Sequence, residues 1–122
     1  PLGPDLNGVW WFEDQSASAT IGNGRISVQL VRPSGAASGQ NSGQRMNRVK
    51  IGIHTPKLET LGTNDAGLTP PATVAYVARA NTEFMFPECA LLQDRKDLRK
   101  YASNILTDAN IISLVESLLN YY

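Results

Sequence analysis

The stretch Arg45–His54, RMNRVKIGIH, decides the fold, because two chemistries alternate along it. In an extended chain successive side chains point to opposite faces. Val49, Ile51 and Ile53 therefore share one side, while Arg48, Lys50, Gly52 and His54 share the other. An oily face backed by a basic one describes a strand of an antiparallel sheet, packed on a core on one side and open on the other. The open side suits something negatively charged.

The alternation recurs upstream. In RISVQLV, Ile26, Val28 and Leu30 point inward and Arg25, Ser27 and Gln29 outward. The two segments are expected to pair as a hairpin whose outward faces merge into one basic and polar surface. Their connection, residues 33–44 (PSGAASGQNSGQ), is uncharged, longer than an ordinary hairpin loop and expected to be exposed. Gly22-Asn23-Gly24 reads as a tight turn, since both residue types accept positive backbone angles. Before it, Val9–Glu13 (VWWFE) reads as a strand with Trp10 and Trp11 on opposite faces. Only one of them can enter the chain's own core, so the other needs a partner chain or a covering loop, or lies on its own sheet. Ser16–Ile21 is expected to return as a weaker strand, and Pro1–Asn7 to form a turn-rich arm.

Downstream, Thr55–Pro71 reads as a second loop region ending in the stiff Pro70-Pro71 pair. Thr73–Phe86 alternates again. Val74, Tyr76, Ala78, Ala80, Phe84 and Phe86 fall on one side, Val77, Arg79, Asn81, Glu83 and Met85 on the other, and Pro87 ends the strand. The remainder reads as helical. Asp94 is the expected N-cap of a first helix with the stripe Leu98, Ala102, Ile105 and Leu106. Asp108 is the expected N-cap of a second, with Ile111, Ile112, Leu114, Val115, Leu118 and Leu119.

So short a helix, apolar around so much of its circumference, must be covered on more than one side, and two helices cover only part of a wide sheet. The expectation is an obligate homodimer, with Leu98, Ile105, Ile111, Leu114, Val115 and Leu118 at the interface. The fold class is thus α+β, an antiparallel sheet at about 8–87 followed by two C-terminal helices at about 94–120. At 122 residues the chain reads as one domain, 1–122.

Eleven basic and eleven acidic residues cancel, but they are not mixed. From Gln15 to Leu58 there is no Asp or Glu, while Arg25, Arg32, Arg45, Arg48, Lys50 and Lys57 fall in that interval. Such a segregation favours a polyanionic partner over a solvated face balanced by remote acids. No run approaches the ~18–20 apolar residues of a membrane span, and the opening PLGPDLNG lacks the pattern of a secretion signal, so a soluble protein is expected.

An enzyme is not expected. His54 is the only histidine and Cys89 the only cysteine, with no nucleophile motif beside either. Cys89 reads as a buried small apolar side chain. The acids lack metal-site spacing and no glycine loop cradles a phosphate, so neither metal nor cofactor is implied. The basic face suits nucleic acid. Arg48 and Lys50 can neutralise phosphates, while Ser27, Gln29, Asn81 and Glu83 can meet base edges. Single-stranded or loop RNA is favoured, because its bases can splay onto an open sheet. Glu83, a carboxylate among cations, reads either as an ion partner of Arg48 or Arg79 or as an acceptor for a base amino group.

RISVQL followed by RMNRVKIGI, the LTPP before the long strand, RANTEFMFP and the ending DRKDLRKYASNILTDANIISLVESLLNYY together resemble the coat proteins of single-stranded RNA bacteriophages, the leviviruses. The resemblance spans nearly the whole chain. It implies an interlocked dimer with one continuous sheet, and assembly of dimers into a quasi-equivalent icosahedral shell with the sheet facing the genome. It also implies binding of an RNA hairpin at the start of the replicase gene, which represses translation. A maturation protein is a further implied partner, and the virion, assembled in the bacterial cytoplasm, the implied location.

Carried over residue by residue, the family's RNA-contacting lysine falls on Lys50, its asparagine and glutamate on Asn81 and Glu83, and a small hydroxyl residue on Ser27. Arg48 stands where a threonine is expected, and Arg79 where a tyrosine stacks on a base. The loop from Thr60 to Pro71 is implied to gather around the five-fold and quasi-six-fold axes. At the N-terminus the likeness leaves two readings: either the family's outer hairpin is missing, the reading favoured here, or Val9–Ile21 is that hairpin. The alternative to a shell is a dimeric RNA-binding regulator that never assembles further.

Overall fold

The computed structural model describes residues 2–17, 19–33, 45–59, 67, 71 and 73–120. Five strands form one antiparallel sheet in sequence order: β1 (Gly3–Pro4), β2 (Trp10–Asp14), β3 (Gly24–Val31), β4 (Met46–Leu58) and β5 (Val74–Pro87). Two helices follow, α1 (Leu92–Ile105) and α2 (Ala109–Glu116).

Register realises the alternation read from the sequence. Val28 lies opposite Ile51, Leu30 opposite Val49 and Ile26 opposite Ile53, and Val49 lies opposite Phe84. On β2, Trp10 faces Val28 and Phe12 faces Ile26. Residues directly opposite share a face, so one side of the sheet is an apolar floor reaching from Trp10 to Phe84. The other side carries the basic and polar set. Trp10 and Trp11 are on opposite faces, as expected.

Several local expectations are corrected. Ser16–Ile21 is not a strand, so Val9–Ile21 is not a hairpin; residues 20–22 form a 3-10 turn, and β2 pairs with β1 and β3 instead. Gly22-Asn23-Gly24 takes no positive φ, and Asn23 is extended at φ −67°. What Gly22 supplies is closeness, since a Cβ there would lie 2.9 Å from the Leu58 side chain. Strand β4 continues to Leu58, four residues into the expected loop. Past His54, β4 has no β3 partner, so Pro56, which has no N–H to donate, is tolerated there. Most of the two connections lies outside the described residues.

The first helix starts at Leu92 rather than after Asp94. Asp94 sits one turn in, its carboxylate accepting from the Leu91 backbone N–H at 3.3 Å, which holds the helix start from inside. Asp108 is the N-cap expected, accepting from Asn110 N at 2.9 Å and Ile111 N at 3.4 Å. Helix α2 ends at Glu116, so Leu118 lies beyond it, in the left-handed region at φ 54°. Cys89 is exposed, not buried, because the chain leaves the sheet at Pro87 and turns outward before α1. An Arg45–Glu88 ion pair at 3.0 Å closes the ends of β4 and β5.

Among the described residues no hydrophobic side chain is buried. Leu106 is 68 % exposed, Tyr101 73 % and Leu118 85 %. The start of α1 borders a groove of about 330 Å³ over Val49, Ile51, Phe84 and Phe86, and the rest of the helical pair leaves the floor uncovered. No helix among the described residues is long and apolar enough to cross a membrane.

Replacing Asp108 with Ala leaves two first-turn N–H groups of α2 without a partner. It is expected to cost about 1 kcal/mol, read as a lower midpoint in thermal unfolding, with Asp108→Asn costing less.

Candidate nucleic-acid interface

Strand register sorts the polar face into rows running across the sheet. Glu13, Arg25, His54 and Arg79 form one row, and Trp11, Ser27, Gly52 and Asn81 the next. Gln29, Lys50 and Glu83 form a third, with Val31, Arg48 and Met85 beyond it. Ser27, Gln29, Arg48, Lys50, Arg79, Asn81 and Glu83, the seven residues expected to meet RNA, thus occupy one face.

Five of them, Ser27, Gln29, Lys50, Asn81 and Glu83, line a single shallow depression of about 430 Å³ together with Trp11. Arg48 and Arg79 stand outside it. Gly52 is its buried floor. A Cβ at that position would come within 2.6 Å of Ser27 Oγ and 3.4 Å of Asn81 Oδ1, so the side chains from β3 and β5 can lean together only over a glycine.

Charge is distributed unevenly over this face. Glu83 pairs diagonally with Arg48, Nη1 to Oε1 at 3.7 Å, both side chains being exposed, and lies opposite Lys50. Of the readings open from sequence, ion pairing with Arg48 holds in the free chain. A contact so exposed contributes little to stability and yields readily to a competing anion. Arg25 is drawn the other way, to the nearly buried Glu13 at 3.7 Å, which also accepts from Asn23 Nδ2. Among the described residues no carboxylate bridges Lys50 or Arg79. No group of three His, Cys, Asp or Glu side chains among the described residues is placed to hold a metal ion.

Two participants, Trp11 and Asp5, were not assigned to the site by sequence reasoning. Trp11 borders the depression with its ring edge-on to His54, centroids 6.0 Å apart at 73°. Its indole N–H donates to Asp5 Oδ2 at 3.3 Å. Asp5 Oδ1 in turn accepts from Asn7 N at 2.8 Å and Val9 N at 3.0 Å, closing the β1–β2 turn. The available signal was the doubled Trp of VWWFE, which forces one indole onto the polar face. The Asp5 clamp needs a turn geometry that spacing does not reveal. Gln29 is tied to the same segment, its amide donating to the Asn7 carbonyl at 3.1 Å.

The residues expected at a subunit interface are exposed or half-buried in the single chain. Leu98, Ile105, Leu114, Val115 and Leu118 are exposed, and Ile111 is half-buried.

A five-stranded meander with one polar and one apolar face is thus followed by two helices whose apolar residues are largely uncovered. A family model described as levivirus coat protein matches residues 1–122, and the chain belongs to that family. Its structure is similar to the virus-like particle of bacteriophage ESE058, at 42 % identity and a TM-score of 0.88, covering 100 % of this chain and 85 % of that one. The virus-like particle of Beihai levi-like virus 21, at 21 % identity, gives a TM-score of 0.80 over 100 % of this chain and 85 % of that one. The capsid protein of bacteriophage GA, at 19 % identity, gives 0.69 over 96 % and 81 %; these last two bear on the fold alone. No curated protein matches the chain.

Hydrogen bonds from the Val9 backbone N–H, the Trp11 indole and the Asn7 backbone N–H, the first of them strongest, hold the Asp5 carboxyl below its ordinary 3.8. A carboxyl lowered on folding stabilises the turn above its unfolded value, and that stabilisation is lost as pH falls through the lowered folded value. With Trp10→Phe leaving Trp11 as the sole tryptophan, its emission is expected to change in an acid titration below 3.8. Adding Asp5→Ala removes that step.

Proposed function

We propose that this chain is the subunit of an icosahedral shell that encloses single-stranded RNA, with dimers as building blocks and the polar sheet face turned to the nucleic acid. The observation that carries the reading is the absence, among the described residues, of any buried hydrophobic side chain beside an apolar sheet face and two apolar helices. Covering a side chain the size of Leu or Phe is worth roughly 1.5–3 kcal/mol. A chain that leaves so many uncovered gains most of its stability by joining copies of itself. Leu98, Ile105, Ile111, Leu114, Val115 and Leu118 are the residues for that interface, and the groove over Val49, Ile51, Phe84 and Phe86 is its continuation on the sheet. The particle-forming relative at 42 % identity supports the shell over a free dimeric regulator.

The polar face supports RNA as the enclosed polyanion. Lys50, without a carboxylate partner among the described residues, and Arg48, held by an exposed ion pair, are available to phosphates, and Arg79 lies on the same face opposite His54. Ser27, Gln29, Asn81 and Glu83 bring hydroxyl, amide and carboxylate groups for base edges. A hairpin operator, bound to repress translation of the replicase, is the specific ligand this surface is proposed to select, and assembly takes place in the bacterial cytoplasm.

Electron microscopy of the chain expressed in bacteria tests the shell. Uniform spheres are expected, and dimers alone at high concentration would favour the regulator. Leu114→Asp places a charge where the second copy packs and should abolish soluble assemblies; a folded, monodisperse monomer would contradict the shared interface. Replacing both Arg48 and Lys50 with Ala should weaken RNA binding and flatten its dependence on log salt concentration. The slope should fall by about 1.4, from ~0.7 per lost phosphate contact on a single strand. An unchanged slope would count against this surface.

A further inference from the structure

We propose that Trp11 is a stacking platform for one unpaired base of the bound RNA, beside the hydrogen-bonding groups of Ser27, Asn81 and His54; this rests on the RNA reading of the polar face. Register puts Trp11 on that face, while Trp10 takes the apolar one. An indole there adds nothing to the apolar floor, and it is fixed with care. Its N–H donates to Asp5 at 3.3 Å, and Asp5 is itself held by two backbone N–H groups. His54, in the neighbouring row, stands steeply inclined to the ring at 73°, centroids 6.0 Å apart.

Two consequences follow from that fixing. An indole N–H must keep a partner when its ring is covered, and here the partner is internal, so a base can cover the ring without stranding a donor. A ring already held also loses little freedom on binding, which removes part of the usual cost of association. Flat apolar area that is satisfied and immobile is what stacking requires, and stacking accepts any base because every base has a π face.

Selection comes from the next position in the row. Around the point where Gly52 would carry a Cβ, Ser27 Oγ lies at 2.6 Å, Asn81 Oδ1 at 3.4 Å and His54 Nε2 at 3.9 Å. A hydroxyl, an amide and an imidazole converge over Gly52 beside the ring. Lys50, one row further along β4, lines the same depression and can meet the adjoining phosphate. Base, base edge and backbone therefore each find a group of matching chemistry within the one depression of about 430 Å³.

The test uses the RNA-free full chain carrying Trp10→Phe, with an octaribonucleotide of adenosines and an abasic strand of the same length and charge. The adenosine strand should quench Trp11 emission and the abasic strand should not. Trp11→Leu should weaken the adenosine strand about tenfold, leave its salt slope unchanged and leave the abasic strand unaffected, while Trp11→Phe keeps part of the affinity. Wild-type affinity in Trp11→Leu, unquenched emission, or equal losses for both strands would overturn the platform. The Arg48 and Lys50 double replacement separates the two ideas. If it flattens the salt slope while Trp11→Leu changes nothing, the platform alone falls; if neither variant matters, the polar face is not the RNA surface and both fall.

Discussion

Pairing in strict register between β3, β4 and β5 is the constraint from which the other features descend. Because Val28, Ile51 and Thr82 must lie abreast, Ile26, Leu30, Val49, Ile53 and Phe84 are sent to one side with them, and Arg25, Arg48, Lys50 and Arg79 to the other. A slip of one residue would exchange the two faces outright. The apolar floor cannot then be left to water, while the chain's own carboxylates, none of which lies in the 15–58 interval, reach the cations of the polar face through Glu13 and Glu83. One geometric fact sets both sides, an apolar face that demands a covering and a polar, basic face turned away from it.

The helices answer that demand only in part. Asp108 starts α2 and Asp94 braces the opening turn of α1, so both helices are well formed locally. Their apolar residues nonetheless face outward from a single chain. Local order without a local core is what distinguishes a building block from a self-sufficient globule, and the family to which the chain belongs is one of coat proteins.

Much of this was legible in the amino-acid sequence, for reasons that can be located. Period-two alternation in RISVQLV, RMNRVKIGIH and the 73–86 stretch gave the strands, their faces and the seven polar residues, because a strand projects its pattern onto a surface with no intermediate step. The ends of elements were harder. Asp94 resembles a cap but acts from the third helical position, and Gly22-Asn23-Gly24 resembles a hairpin turn but serves a 3-10 turn pressed on Leu58. Cys89 was assigned to an interior, yet it is exposed, and no hydrophobic side chain among the described residues is buried. The two tryptophans were recognised as facing opposite ways, but that Trp11 is the one on the polar face, and that it is linked to Asp5, was not, because a carboxylate six residues away meets an indole only once the intervening turn is known.

The lack of any buried hydrophobic side chain among the described residues also changes what stability means for this molecule. A globule with its own core melts at a temperature that belongs to it, whereas a fold completed by neighbours melts where mass action dictates. Dilution alone then acts as a denaturant, and crowding many newly made chains into a small volume acts as a chaperone. Shortly after synthesis, before enough copies have accumulated, the exposed leucines of the helices are where proteases and aggregation compete with productive assembly.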